Sequence, residues 1–381
     1  MRSLRPKVLS LVAAAALPCA CWLQVEDPLQ TPRDADVPEA PGATGAAEAA
    51  GTAPPIGTVV TELDPRVWSL LQTRDGDLWF GTNGAGVYRY DGEQLVHYDR
   101  DDGLVGAQVR DLAQHGSGDV LIATNSGVTR FDGRQLVQVE VTEAAPGEGW
   151  ELDPSDTWLT YEPGLRGPSR YDGETLVSLE LTGSAHAGLH AKTIDPAGFP
   201  TTGIYSVHVD RRGHLWFGTA AAGLCRFDGE HLDWLYEEQL TTTPSGGAFG
   251  IRSIHEEAAS SFWLGNTRQR YQVEREAAVS DGRRLLVTKK IAGLPGPMDG
   301  PNSNLAYIAS MVEGADGDLW MAVGSRGVWH VRDDVVTKHV LADGAYVAAV
   351  LLDDAGRVWA GTIEDGVYLL EGEAFERFAP L

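Results

Sequence analysis

Cysteine is almost absent from the chain: Cys19, Cys21 and Cys225 are the only three. Two of them fall in an N-terminal leader, so one thiol remains for the folded part and a disulfide framework is excluded. Cys225, between Leu224 and Arg226 in a strand-like run, reads as a small core residue rather than a nucleophile. Long apolar runs are equally scarce. Val8 to Leu17 is too short for a spanning helix, and no other stretch approaches the roughly 20 apolar residues a bilayer needs. Positive charge is short as well, with 30 Lys and Arg against 54 Asp and Glu and a net charge of −24. Such a surface repels nucleic acid. The ten histidines form no HExxH and no close His/Cys cluster. His186 and His190 stand four apart, but in a Gly-containing segment that reads as loop, where this spacing does not align two rings for zinc. Asp99, Asp101, Asp102 and Gly103 lack the register and the final Glu of a calcium loop. There is no G-x-S-x-G elbow, and Gly-rich turns such as Asn83 to Gly86 lead into no helix that would cradle phosphate. No catalytic residue, metal or cofactor is therefore expected.

The leader is explicit. Arg2, Arg5 and Lys7 precede the apolar run, and small residues follow ahead of Cys21, which makes residues 1–21 an export signal. Leu17-Pro18-Cys19-Ala20-Cys21 resembles the lipid-attachment box of bacterial lipoproteins, with Cys21 as acceptor, although Pro18 and the position of Leu17 depart from the usual pattern. A plain secreted protein is the alternative. Residues 22–56 are rich in Ala, Pro, Gly, Asp and Glu without periodic apolar positions, and read as a disordered tether. Lipid-anchored at the cell envelope, periplasmic or secreted, the protein is expected to meet a membrane only through that anchor.

What fills residues 57–381 is one unit repeated. Its clearest copy runs from Asp75 to Gly92: an Asp-Gly turn, the strand Leu78-Trp79-Phe80, a turn at Gly81 to Gly86, the returning strand Val87 to Tyr90, and a second Asp-Gly turn into Leu95 to Tyr98. Trp216, Trp320 and Trp359 mark strong further copies, Leu121 replaces Trp in another, and Trp158 and Trp263 anchor two degraded ones, seven in all. Twelve residues before the anchor stands an apolar residue, Val67, Val109, Ile204, Ile251, Ile308 or Val347, in every copy except that of Trp158. An Arg-Tyr/Phe-Asp-Gly corner recurs at Arg89, Arg130, Arg170 and Arg226.

Constant register within copies and variable length between them describe a single supersecondary unit with loop insertions. A ring of four-stranded antiparallel sheets satisfies it, because each sheet then buries both faces against its neighbours. The expected fold is all-β, a seven-bladed β-propeller. Gly57 to Leu63 is expected either to add a strand to the last blade, closing the ring, or to serve as a lead-in, since Phe375 to Phe378 can supply that blade's outer strand. The long connections, Thr182 to Gly203, Glu237 to Gly250 and Leu286 to Tyr307, share one face, which marks it as functional.

The sequence Leu-Trp-Phe-Gly-Thr followed by Gly-Val-Tyr-Arg-Tyr-Asp, best seen at Val67 to Tyr98, Ile204 to Phe227 and Val347 to Leu370, resembles the two-component regulator propeller repeat. In that family such propellers often form the periplasmic sensing part of hybrid histidine kinases, followed by a membrane helix and kinase domains. This chain ends at Leu381 just past the last repeat, so the resemblance implies a stand-alone exported module that binds a small molecule, glycan or protein. The alternative is an enzyme that resembles virginiamycin B lyase, a propeller working on its variable face with a metal, His and Glu; His208 or His255 beside a carboxylate at the axis would favour it.

The binding residues follow from the twelve-residue register. The neighbours of each phase residue, Arg66 and Trp68, Gln108 and Arg110, Tyr205, Arg252, Tyr307 and Tyr346, are large, polar and varied. Two places after the phase residue the chain instead repeats Ser69, Ser206, Ser253, Ser310 and Ala349, which suits packing between blades. The first set is expected to line the mouth of the central channel, where Arg66, Arg110 and Arg252 would receive an anionic ligand.

Overall fold

A computed structural model describes residues 56–160, 167–182, 202–241, 250–280, 283–294 and 305–380. The export signal, Cys21, the tether up to residue 55, His186 and His190, and most of the three long connections lie outside the described residues.

Short strands dominate, interrupted only by one four-residue helical turn, Glu238–Thr241, and one 3-10 turn, Ala342–Gly344, among the described residues. The turns between strands are built from the predicted residues. Gly76 takes φ +92°, open only to glycine at low cost. At the Arg-Tyr/Phe-Asp-Gly corner, Asp91 Oδ1 accepts the backbone N–H groups of Glu93 and Gln94, at 2.9 and 2.8 Å. Asp132, Asp172 and Asp228 repeat this clamp. An aspartate held two ways by the chain that follows it forces the reversal.

The anchors behave as core. Trp79, Trp216 and Trp359 are 1% exposed and Trp320 is 8% exposed. Each packs against the following repeat: Trp79 on Val109, Leu112 and Ile122, Trp216 on Ile251 and Phe262, Trp320 on Val347 and Val350. Trp359 of the last repeat shares a cluster with Val67, Leu78 and Phe80 of the first, so the chain closes into a ring. In two copies the indole N–H is also fixed, by Asp210 at 2.9 Å from Trp216 Nε1 and by Asp353 at 2.8 Å from Trp359 Nε1. The glycine after each aromatic pair admits the next blade. A β-carbon on Gly218 would run into the Ile251 carbonyl and Ser206 Oγ. The repeated serines knit the same junctions: Ser206 Oγ donates to the Ile251 carbonyl at 2.7 Å, and Ser253 Oγ to that of Ile308 at 2.6 Å.

The ring departs from separate four-stranded sheets in four places, one of them a two-stranded pairing of Asn266–Thr267 with Leu305–Ala306. The first sheet has five strands, because Thr58–Val60 pairs antiparallel with Leu95–Tyr98 of its own repeat, not with the last blade. The last sheet keeps Ala374–Arg377 as its outer strand. The fourth and fifth repeats share one eight-stranded sheet, joined where Trp234 of Leu232–Leu235 pairs with Leu285 of Arg283–Ile291. The hairpin of Arg270–Ser280 and Arg283–Ile291 is long enough to reach that neighbour. The third repeat has exchanged its innermost strand for an outer one. Val141–Glu143 pairs parallel with Leu176–Ser178, and Thr157–Leu159 becomes the innermost strand of the sheet. The intervening residues 144–156 carry Pro146, Gly147, Gly149 and Pro154, poor strand formers. Their Trp150 is drawn instead into the apolar junction, stacked on Trp158 at 5.9 Å and packed on Phe217 and Phe227. This is the copy in which the twelve-residue rule fails.

Candidate functional site

Four inner strands open with the apolar phase residue, and in these the residue after it is an extra one. Val67 pairs with Thr82 and Ser69 with Gly81, leaving Trp68 as a bulge; Arg110, Tyr205 and Ala348 occupy the same bulge in their repeats. A bulge lets one side chain leave the alternation of the strand. Three of these four residues belong to the predicted set, and with Arg252 they line one cavity of about 230 Å³ together with the small residues Ser69, Ser310 and Ala349.

The arginines there are stacked on rings. Arg110 Cζ lies 5.0 Å from the Trp68 ring centre and Arg252 Cζ 4.2 Å from that of Tyr205. Stacking holds a guanidinium by its face. Arg110 Nε donates to Asn125 Oδ1 at 2.7 Å, and the Asn125 amide in turn donates to Gln108. Tyr307 and Tyr346 face each other with ring centres 6.3 Å apart. Arg66 is set differently: its guanidinium grips Asp64 through Nε at 3.0 Å and Nη2 at 2.9 Å. Burial raises the Asp64 pKa, but the Arg66 hydrogen bonds outweigh it and hold that carboxyl below its ordinary value. Trp68, Arg110, Tyr205 and Arg252 are thus gathered in one cavity; Arg66 and Gln108 are tied to partners in or beside their own repeats, and Tyr307 and Tyr346 form a separate pair.

A second cavity, about 490 Å³, adjoins the first and shares Arg110, Tyr205 and Arg252 with it. It lies where the third repeat has no inner strand among the described residues, bounded by Thr157 and Trp158 on one side and by Val207 to Val209 on the other. Asp111 and His208 reach it. Asp111 stands in the place of the junction serines and accepts from Thr160 N at 3.1 Å and Thr160 Oγ1 at 3.2 Å; burial nevertheless pushes its carboxyl up. Burial, assisted by the neighbouring His255, lowers His208 to about 4, so its ring is neutral at physiological pH. The sequence marked this region only through the broken rule, and Asp111 was legible as the one acid in a column of small residues.

Of the two histidines the lyase alternative names, His208 lines the second cavity together with Asp111 and Asp156, and neither lines the axial cavity. His255 Nε2 lies 3.5 Å from Glu313 Oε2 without hydrogen-bond geometry, and neither residue lines the axial cavity. Among the described residues no group of three His, Cys, Asp or Glu side chains is placed to hold a metal ion. Cys225 is fully buried and its thiol is pushed well up by burial. No helix among the described residues is long and apolar enough to cross a membrane.

A closed ring of antiparallel sheets with its cavity on the axis defines a β-propeller. Solved propellers superpose on it: the extracellular domain of a putative hybrid two-component system from B. thetaiotaomicron (16% identity, 83% of this chain, 39% of that one, TM-score 0.53) and virginiamycin B lyase from Staphylococcus aureus (15% identity, 81% and 96%, TM-score 0.53). PorZ, a surface component of the type-IX secretion system of Porphyromonas gingivalis, is also similar (14% identity, 81% and 46%, TM-score 0.51). The chain spans about two fifths of the sensor's extracellular domain. At these identities the likeness is one of fold. No curated protein matches the chain in sequence. The two-component regulator propeller model matches residues 61–84 and 198–221, and the chain carries repeats of that family.

Proposed function

We infer that the protein is an exported, noncatalytic binding module whose axial cavity takes an anionic ligand. The observation that carries this is the pair Arg110 and Arg252, each stacked on an aromatic ring and both lining one cavity in a chain of net charge −24. A local cation pair in a negative field selects for anions that fit it and repels bulk contact with anionic surfaces. Export follows from the signal-like residues 1–21, with Cys21 as the lipid acceptor. The sensory role of propellers built from these repeats makes ligand detection at the cell envelope the coherent setting.

The test is an array of carboxylated glycans and peptides probed with the full chain, followed by calorimetry on the ligands retained. The double variant Arg110→Ala/Arg252→Ala is expected to lose affinity while its melting temperature stays near that of the parent. Unchanged affinity overturns the reading, and a markedly destabilised double variant assigns the arginines to the scaffold.

A further inference from the structure

We propose that the gap in the third repeat receives an extended peptide, which docks as the missing inner strand with its C-terminal carboxylate toward Arg110 and Arg252. The carboxylate end rests on the anion-binding reading above; the strand-docking part stands on separate geometry.

That geometry begins with what regular repeats do. They place a six-residue strand at the axis: Val67–Gln72, Val109–Gln114, Ile204–Val209 and Val347–Leu352. In the third repeat Thr157–Leu159 is innermost, and its axial edge pairs with no other described strand. The cavity in front of that edge measures about 490 Å³ and is flanked by the inner strands of the second and fourth repeats. The opening thus stands between the two neighbouring inner strands, and an edge paired by no described strand is the template on which an extended peptide pairs.

Charge sets the direction. Arg110 is the second residue of Val109–Gln114 and Arg252 lies two residues before Ile254–Ala258, each next to its phase residue, whereas Asp156 immediately precedes Thr157 at the other end of the slot. Burial raises the Asp156 carboxyl, opposed by Arg170 beside it. A carboxylate belongs at the arginine end. Inner strands run antiparallel to the strand that follows them, so a peptide oriented this way lies parallel to Thr157–Leu159. Trp158 and Val207 offer it apolar walls.

The experiment uses the full chain and a random hexapeptide library with free C-termini, with the amidated library alongside. Selected peptides are expected to weaken roughly tenfold when alternate backbone nitrogens are methylated in one of the two frames, the loss of about one main-chain hydrogen bond. They should weaken about as much on amidation. Val209→Trp, at a 57% exposed position on the slot's rim, is expected to weaken them at least tenfold with the melting temperature retained. Failure to select any peptide overturns the proposal. So do selected peptides that tolerate methylation in both frames and Val209→Trp; if those same peptides still depend on Arg110 and Arg252, the axial anion reading survives alone. Peptides sensitive to methylation but indifferent to amidation and to the double arginine variant overturn the carboxylate end and, with it, the anion reading.

Discussion

Replacing Trp359 tests how the ring is held shut. Its indole sits at the junction of last and first repeats, 5.1 Å from the Phe378 ring and 6.5 Å from that of Phe80, and donates to Asp353 Oδ2 at 2.8 Å. Asp353 is itself held by Ala355 N, Arg357 N and Arg357 Nε. Trp359→Ala removes a fully buried ring and should cost about 3–5 kcal/mol through the cavity alone. Trp359→Phe keeps most of the apolar contact and loses a hydrogen bond to a carboxylate, about 1.5–3 kcal/mol. Asp353→Asn turns an acceptor into a donor facing the indole N–H, so the two substitutions should couple: in a double-mutant cycle of Trp359→Phe and Asp353→Asn the coupling is expected to be about 1–2 kcal/mol. Burial raises the Asp353 pKa, but the hydrogen bonds from Trp359 and Arg357 outweigh it and leave the pKa below the ordinary 3.8. The stabilisation is thus complete above 3.8 and lost as pH falls further. Urea titrations at pH 7 and pH 3 read both effects from the shift in midpoint. Trp359→Ala with the parent's midpoint, or a coupling near zero, refutes the account of the closure.

Gly218→Ala should destabilise by about 1–3 kcal/mol, since its β-carbon meets the next blade, whereas Ser206→Ala at the same junction should cost about 1 kcal/mol; thermal melts separate the two. His208, held at about 4 against an ordinary 6.5, excludes a proton on folding, so its contribution is full above 6.5 and declines from there to about 4. His208→Gln is expected to flatten that part of the profile of melting temperature against pH. Cys225, buried in the fourth repeat with its thiol pKa raised, should react with a thiol reagent only on unfolding, and stoichiometric labelling of the native protein would contradict its placement.

Much of the ring was legible because its determinants are local. The Asp-Gly turns, the anchor and the interval of twelve all belong to one strand pair and its corner, so each copy shows them within a short stretch of sequence. The junction serines were legible as packing residues, though their bond to the next repeat's carbonyl was not, because it joins residues 45 or 55 apart. The Asp210 and Asp353 clamps escaped notice for the opposite reason: other copies place Thr73, Gly314 and Glu257 there, so no column stands out. The sharing of one sheet by the fourth and fifth repeats depends on hairpin length, and the fate of Thr58–Val60 on a choice between two edges; neither is written in a period. At the site, Trp68 and Arg110 hold the same register position in successive repeats and stack on each other, while Arg66 found Asp64, a partner two residues away that no spacing between repeats reveals.

The seam between the last and first repeats shares no described strand. It is held by the Trp359 cluster and a few bonds such as Gly366 N to the Pro65 carbonyl at 2.7 Å. Both ends of the described ring rest on the first repeat, Ile56 against the cluster of Tyr98 and Phe378 against Phe80 and Tyr90. Chain continuity is therefore dispensable at this boundary: a circular permutant that links these ends and breaks the chain between the first and second repeats would keep every sheet intact. A break between the fourth and fifth repeats would instead leave the pairing of Trp234 with Leu285 to bridge two termini.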